Sequence, residues 1–370
     1  MKKAAVLLFF IVLSCAVSPT KAQETFDYDG IERIYYLDMP ELLAPGAPLV
    51  FVLHGYTSSA DIIRFYSGWS ALAESEGFAV CYPQGTLDDL GISHWNANLG
   101  ISDADDHGFL VALAEHLQVQ HELGTSCTYA CGMSNGGKMS YSLACEHPET
   151  FRAVGSVTGA MSGYDFIHCN PSEPVPIVHL HGTADLVVGY NTGVGNANWG
   201  MAGVPEIIDF WTELMGTTAS DQITLPNQEF LDITTVEMIR YHGAPSGQEF
   251  HHYRVVGGGH DWFGAWGSQD VQSTEVIWSF FDAHCSGGFN NIEVAETVGL
   301  PALFEIHPRQ IQMQQPCQLE GWDWQGRLIW MLPRVSSGTT LSFLEMSGAN
   351  FIRAINDSGA SQVHRLPFVP

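Results

Sequence analysis

The stretch "YACGMSNGGKM", residues 129–139, decides the reading of this chain. Thr128, Tyr129 and Ala130 read as a short buried strand, and Met139, Leu143 and Ala144 recur at helical spacing up to the stop at Pro148. Strand, sharp turn and helix therefore meet at Ser134. Gly132 and Gly136 stand two places to either side, the G-x-S-x-G pattern in which a serine holds a strained backbone while helix and strand pack closely around it. With 38 glycines in 370 residues the string alone also fits a glycine-rich turn with an incidental serine, so its surroundings must decide.

On either side of the turn, strands alternate with helices. "IERIYYLDM", "APLVFVLHG", "FAVCYP", "RAVGSVTG" and "VPIVHLHG" read as strands, several of them continuous apolar runs of the kind buried on both faces. A helical stretch over "DIIRFYSGWSALAESEG" and a helix at "DDHGFLVALAEHLQVQHEL" lie between them. This alternation predicts an α/β fold with a mostly parallel central sheet covered on both sides, occupying residues 23–285. "TTVEMIRYHG" and "EFHHYRVVGGGH" are expected to pair as a hairpin, and "STEVIWSFFDAHC" to close the unit as a helix. Residues 286–299 read as a linker. From Leu300 to Pro370 short alternating runs with turn residues between them predict a small, sandwich-like all-β domain.

The opening "MKKAAVLLFFIVLSCAVSPTKAQ" has two lysines, an apolar run from Ala4 to Val17 and a small-residue exit at Ala22. It is too short for a membrane span and reads as a cleaved secretory signal over residues 1–22, with lipoprotein processing at Cys15 as the alternative. Without those residues 40 acidic residues face 11 basic ones, 29 net negative charges, and Lys138 is the one lysine left. So acidic a surface repels nucleic acid and anionic membranes, which excludes both as partners. No other segment is apolar enough to enter a bilayer. Seven cysteines remain, none in a C-x-x-C pair, which removes the usual spacing for zinc or thioredoxin chemistry. Disulfides are the default in an exported protein, and an odd count leaves at least one thiol free. Cys131 reads as a small apolar filler in the strand before the serine.

A serine hydroxyl becomes a useful nucleophile when a histidine takes its proton and an acid orients that histidine. In this sheet type the expected chain order is serine, acid, histidine. Asp185 follows the strand "VHLHG" by a tight turn, and His260 follows a late strand through three glycines. Both fall at carboxyl edges of strands, where chemistry collects in parallel sheets. His179 and His181 share one face of a buried strand and read as satisfied core or edge histidines. No spacing supports a metal site. Acyl transfer also needs donors for the oxyanion. Asn135, directly after the serine, offers one backbone N–H, and Tyr56 after "LVFVLHG" the other, with Thr57 next in line.

"LHGYTSSA", "YPQGT", "WN", "DDHGFL", "GMSNGGKMSYSLACEHPETF", "HLHGTADLVVGY" and "VVGGGHDWFG" together resemble the secreted esterase family that includes polyhydroxybutyrate depolymerases and feruloyl or acetyl-xylan esterases. The resemblance runs in order from about Ile31 to Cys285. It implies an α/β-hydrolase fold, with nucleophile, acid and base at Ser134, Asp185 and His260. It also implies a disulfide between Cys145 and Cys169, and neither cofactor nor metal. Two departures from the family's pattern are Asp261 in "GHDWFG", where relatives commonly read "GHTWPG", and a long loop "NTGVGNANWGMAGV" after the acid. Trp95, Trp262 and Trp199 are candidate pocket walls, each with a place in the core as its alternative. The tail resembles Bacteroidetes C-terminal sorting domains, which would engage a secretion machinery. A polymer-binding face using Trp322, Trp324 and Trp330 is the competing reading. The expected function is a secreted serine ester hydrolase acting on polymer-linked esters of feruloyl or acetyl type. A polyhydroxyalkanoate depolymerase and a noncatalytic binding protein on a hydrolase scaffold are the alternatives.

Overall fold

The central strands are apolar at every position, and the structure shows why. In the computed structural model, which describes residues 22–191 except 42, 201–285 except 230, and the β-strands of the stretch 304–365 with a few residues beside them, β3 (Leu49–Leu53) has all five residues buried. Its side chains alternate between two cores: Leu49, Phe51 and Leu53 on one face of the sheet, Val50 and Val52 on the other. β5 (Thr128–Met133), β6 (Ala153–Val157) and β7 (Ile177–Gly182) are likewise buried throughout. A strand covered on both faces has no reason to alternate apolar with polar.

These strands belong to a ten-stranded sheet. Its remaining members are β1 (Glu24–Tyr28), β2 (Ile31–Asp38), β4 (Ala79–Pro83), β8 (Ala219–Thr224), β9 (Thr235–His242) and β10 (Phe250–Val256), in the order β1-β2-β4-β3-β5-β6-β7-β10-β9-β8. The run from β4 to β10 is parallel. Antiparallel pairs finish both edges. One face is covered by α3 (Asp106–His121), α4 (Asn135–Glu146) and α6 (Val204–Met215), through residues such as Leu113, Leu143 and Trp211. The other is covered by α1 (Ala60–Tyr66), α2 (Trp69–Glu76) and α7 (Ser273–Ala283), through Ile63, Trp69 and Phe281. A short α5 (Gly163–His168) follows β6. This is the α/β-hydrolase arrangement, and the expected hairpin is β9–β10, paired from Thr235↔Val256 to Tyr241↔Phe250.

Some details differ from the sequence reading. The expected helical stretch after β3 is two helices, because Gly68 takes a left-handed φ of 77° between them. Helix α6 and the edge strands β1 and β8 were not anticipated. All six residues of β8 are exposed, so it carries no core-facing alternation to read.

Cys145–Cys169 ties the end of α4 to the end of α5, and Cys127–Cys285 ties the start of β5 to the residues after α7. Cys81 and Cys131 are free and buried. Beyond residue 303 the strands form a three-stranded and a four-stranded antiparallel sheet. The signal stretch through Lys21, the linker, Trp199 and Trp324 lie outside the described residues, as do the side chains of Trp322 and Trp330.

Candidate active site

Ser134 stands between β5 and α4 with φ 55° and ψ −112°. That is a conformation an L-residue adopts only when its surroundings impose it. The glycines around it are required by contact distance. A Cβ on Gly132 would sit 2.5 Å from Leu53 O, and one on Gly136 would sit 2.1 Å from the same oxygen. The Ser134 N–H donates to Val157 O at 2.8 Å, and Lys138 N–H donates to Ser134 O at 2.9 Å, so backbone bonds hold the bend on both sides. The Ser134 hydroxyl itself has no hydrogen-bond partner among the described residues.

Asp185 and His260 are brought together across neighbouring strands. β7 and β10 pair in parallel, and beyond their carboxyl ends His260 Nδ1 donates to Asp185 Oδ2 at 2.8 Å. The other carboxylate oxygen accepts the Val187 and Val188 N–H groups, each at 2.8 Å. His181 Nε2 lies 3.4 Å from Oδ2, a partner that the sequence reading filed with the core histidines. Its signal was legible: His181 and Asp185 are four residues apart across a tight turn. Burial acts to raise the Asp185 pKa, but the bonds from His181 and His260 outweigh it and hold the carboxyl well below its ordinary range. Asp185 is therefore a carboxylate at neutral pH. Lys138, on α4, is buried, and desolvation pulls its pKa down to about 8 against the attraction of Asp185.

The loop after β3 faces the serine turn, the Gly55 and Ser134 Cβ positions being 3.6 Å apart. Thr57 N–H is spent on Ser93 O at 2.9 Å, whereas Tyr56 N–H has no partner among the described residues. Of the two candidates after "LHG", Tyr56 alone therefore keeps a free donor. Asn135 opens α4, where first-turn N–H groups lack intrahelical acceptors. Its side chain has a separate task. Oδ1 accepts Trp95 N–H at 2.6 Å and Nδ2 donates to Trp95 O at 3.0 Å, clamping the "WN" loop to the serine turn. The buried Arg33–Asp106 pair secures the same loop, since Asp106 also accepts Asn96 N–H at 2.8 Å.

Trp95 and Trp262 are not solvent-facing walls, a correction to their assignment as pocket residues. Trp95 is wholly buried and donates to His54 O at 3.1 Å. Trp262 is 1% exposed and donates to Thr274 Oγ1 at 3.1 Å. Both indoles sit where large apolar rings with one satisfied N–H pack best, inside the framework. Tyr66 and Trp266 pack edge-to-face with ring centroids 4.6 Å apart. The Tyr66 hydroxyl lies 3.4 Å from the sulfur of Met133, the residue before Ser134. Asp261 turns back to accept Gly259 N–H at 3.2 Å.

Several histidines here are buried and neutral, which makes stability depend on pH. Desolvation lowers His54 to about 4 and His252 to about 3, and pushes His179 well below its ordinary value. The unfolded chain binds these protons near pH 6.5 and the folded chain does not. As pH falls through that value each histidine withdraws about 1.4 kcal/mol of stability per unit, until its folded pKa is reached. The depressed carboxyls of Asp185 and Glu249 begin to act only below the ordinary carboxylate range. Between pH 6.5 and 4.5 the histidines therefore set the direction of the slope, opposed toward its acid end by Asp165 and Glu275, whose carboxyls burial raises. Urea midpoints should fall steeply across that window, and an unchanged midpoint would refute the neutral-histidine assignment.

Residues 34–224 match the family model described as "Esterase PHB depolymerase". A putative esterase, NocK, of Nocardia uniformis subsp. tsuyamanensis is 33% identical over 143 residues, 39% of this chain and 41% of that protein. A bifunctional acetylxylan esterase/xylanase of Neocallimastix patriciarum is 30% identical over 161 residues, 44% of this chain and 22% of that protein. A probable feruloyl esterase C of Aspergillus niger is 29% identical over 189 residues, 49% of this chain and 64% of that protein. The matches thus span less than two thirds of each relative. Among solved structures, an acetyl xylan esterase from Aspergillus awamori aligns with a TM-score of 0.45 at 17% identity, over 62% of this chain and 89% of that one. The family match covers more than half of the 370 residues and includes both the serine turn and the Asp185 loop, and on that extent the chain belongs to the esterase PHB depolymerase family.

Proposed function

We propose that the protein is a secreted serine carboxylic-ester hydrolase acting on polymer-linked esters of the feruloyl or acetyl type. The observation that carries this is the His260–Asp185 hydrogen bond, on the same sheet edge as a serine held at positive φ. With Nδ1–H committed to Asp185, His260 presents Nε2 as the base. It takes the proton of Ser134 Oγ as that oxygen bonds to the ester carbonyl carbon. The oxyanion is received by the Asn135 and Tyr56 N–H groups. His260 then gives its proton to the departing alkoxide, leaving an acyl-enzyme on Ser134. Water, deprotonated by His260, releases the acid. Tyr66 and Trp266 supply an apolar face for an acyl or aryl group next to Met133. The same face and the family description support a polyhydroxyalkanoate depolymerase as the second reading. The two disulfides fit an oxidising destination reached through residues 1–22. We assign residues 23–285 to the catalytic domain, 286–299 to a linker, and 300–370 to a sorting or polymer-contacting tail.

The test is a panel of p-nitrophenyl acyl esters, methyl ferulate and a hydroxybutyrate film, run beside labelling with an alkyl fluorophosphonate. Turnover of at least one ester, with the label recovered on the Ser134 peptide alone, is the expected result. The preferred substrate then separates the plant-wall reading from the polyester one. Silence on every ester with no label at Ser134 would hand the molecule to the binding-protein reading.

A further inference from the structure

We propose that His181 is a positioning residue for the acid: Tyr141, His179 and His181 form a one-way hydrogen-bond chain whose last N–H, bonded to Val188 O, also faces the Asp185 oxygen that holds His260. The inference rests on the serine-hydrolase reading of Ser134, Asp185 and His260.

The proton positions follow from one fixed point. Val188 O can only accept, so His181 Nε2, 2.8 Å away, carries its proton. The same N–H also faces Asp185 Oδ2, 3.4 Å away, so its dipole is directed at the carboxylate charge. His181 Nδ1 then accepts from His179 Nε2 at 2.9 Å, and His179 Nδ1 accepts from the Tyr141 hydroxyl. Reversing the chain would require an imidazolium at His181. The neutral chain needs no such extra proton, since each ring donates once and accepts once along it. His252 stands edge-on to His179 at 5.6 Å, but its own bonds run elsewhere, Nδ1–H to His179 O at 3.2 Å and Nε2 from the Tyr190 hydroxyl at 2.9 Å. Tyr141, His179 and His181 are wholly buried, and Asp185 is 2% exposed, so water cannot readily take the place of a missing partner.

This chain does something the backbone bonds to Asp185 cannot. Val187 and Val188 N–H fix Oδ1 and leave the carboxylate plane to be set at Oδ2. His181 bonds Val188 O and faces Oδ2 at 3.4 Å, so it ties the end of β7 to the loop that carries the acid and turns a positive dipole toward its carboxylate. Lost donation here should let the carboxylate turn and His260 drift.

Two amides of different reach test the idea. His181→Gln can place an N–H near the Nε2 position, and His181→Asn cannot. His181→Gln should keep kcat within about threefold of wild type, while His181→Asn should lose about 10–100-fold in kcat at unchanged KM. A buried polar site with no positioning role would tolerate or reject both alike, so equal kcat values overturn the proposal. Tyr141→Phe, remote from the acid, should cost kcat about 3–10-fold, again without moving KM, as the chain loses its fixed direction. Should neither amide variant fold, nitrogen-15 spectra of the wild-type histidines decide: Nε2–H tautomers at both His179 and His181 support the chain, and an Nδ1–H tautomer or an imidazolium at either overturns it. Ser134→Ala in the same assay keeps the two claims apart. If it remains active the serine reading fails, whereas an inactive Ser134→Ala beside equal amide variants removes only the role of His181.

Discussion

Replacing Ser134 by alanine is expected to lower kcat on the best ester by about 10⁴–10⁶-fold, with KM within about threefold of wild type. The substitution isolates chemistry from folding. Alanine keeps the Cβ and so bears the same strain at φ 55°, and the lost hydroxyl has no hydrogen-bond partner to orphan among the described residues. The change in stability should therefore stay within about 0.5 kcal/mol. On the proposed mechanism the Tyr56 and Asn135 donors and the binding surface survive, enough for a residual acceleration of about 10³–10⁴ over water. Ser134→Gly is the companion variant. Glycine tolerates positive φ, so it should be as inactive as alanine yet more stable by about 1 kcal/mol. A loss of less than tenfold in both variants would remove Ser134 from the mechanism, whatever the geometry of His260 and Asp185.

Much of this site was legible because each part sits where a strand ends. Runs such as "LVFVL" and "IVHLHG" have no polar alternation, which marks buried parallel strands, and the residues that follow them must lie at the carboxyl edge. That is why Tyr56, Ser134, Asp185 and His260 could be expected in order along one sheet edge. What was hidden depends on contacts between loops distant in sequence. Nothing local to Trp95 says that its backbone is clamped by the Asn135 side chain, 40 residues away. Nor does "WN" say that its indole turns inward to His54 O. The pairing of Cys127 with Cys285 across 158 residues is of the same kind, since cysteine positions alone do not fix connectivity.

Helix α6 was hidden for another reason. Its buried residues Val204, Ile207, Ile208, Trp211 and Met215 recur at the spacing of a helical face, so the signal was present. It begins directly after a glycine-rich stretch of sequence that follows Asp185, and so many glycines blur where an element should start. His181 teaches the opposite lesson. Strand alternation correctly put it and His179 on one buried face, but burial alone does not separate a satisfied core histidine from one bonded to the acid. The distinction comes from where the turn after Gly182 sends Asp185.

Asp185→Asn is expected to cost about 10⁴-fold in kcat near neutral pH, through proton placement rather than loss of shape. The backbone dictates how the amide must lie. Val187 and Val188 N–H both point at Oδ1 from 2.8 Å, so asparagine must put its oxygen there and its NH₂ where Oδ2 was. That NH₂ then faces His260 Nδ1, 2.8 Å away in the native site, and two donors would meet. The imidazole escapes by changing tautomer, accepting at Nδ1 and carrying its proton on Nε2. The nitrogen turned toward Ser134 is then already protonated and cannot act as base. His181 loses the charge it faces at Oδ2 but keeps Val188 O, so the loop should hold and the variant should fold. Circular dichroism should match wild type, and nitrogen-15 spectra should show His260 exchanging an Nδ1–H for an Nε2–H tautomer. A loss under tenfold, or an unchanged His260 tautomer, would mean that Asp185 neither orients the base nor stabilises its charge. The expected penalty is smaller than that for Ser134→Ala because the nucleophile is still present: a minor population of the correct tautomer can turn over, whereas a missing hydroxyl cannot.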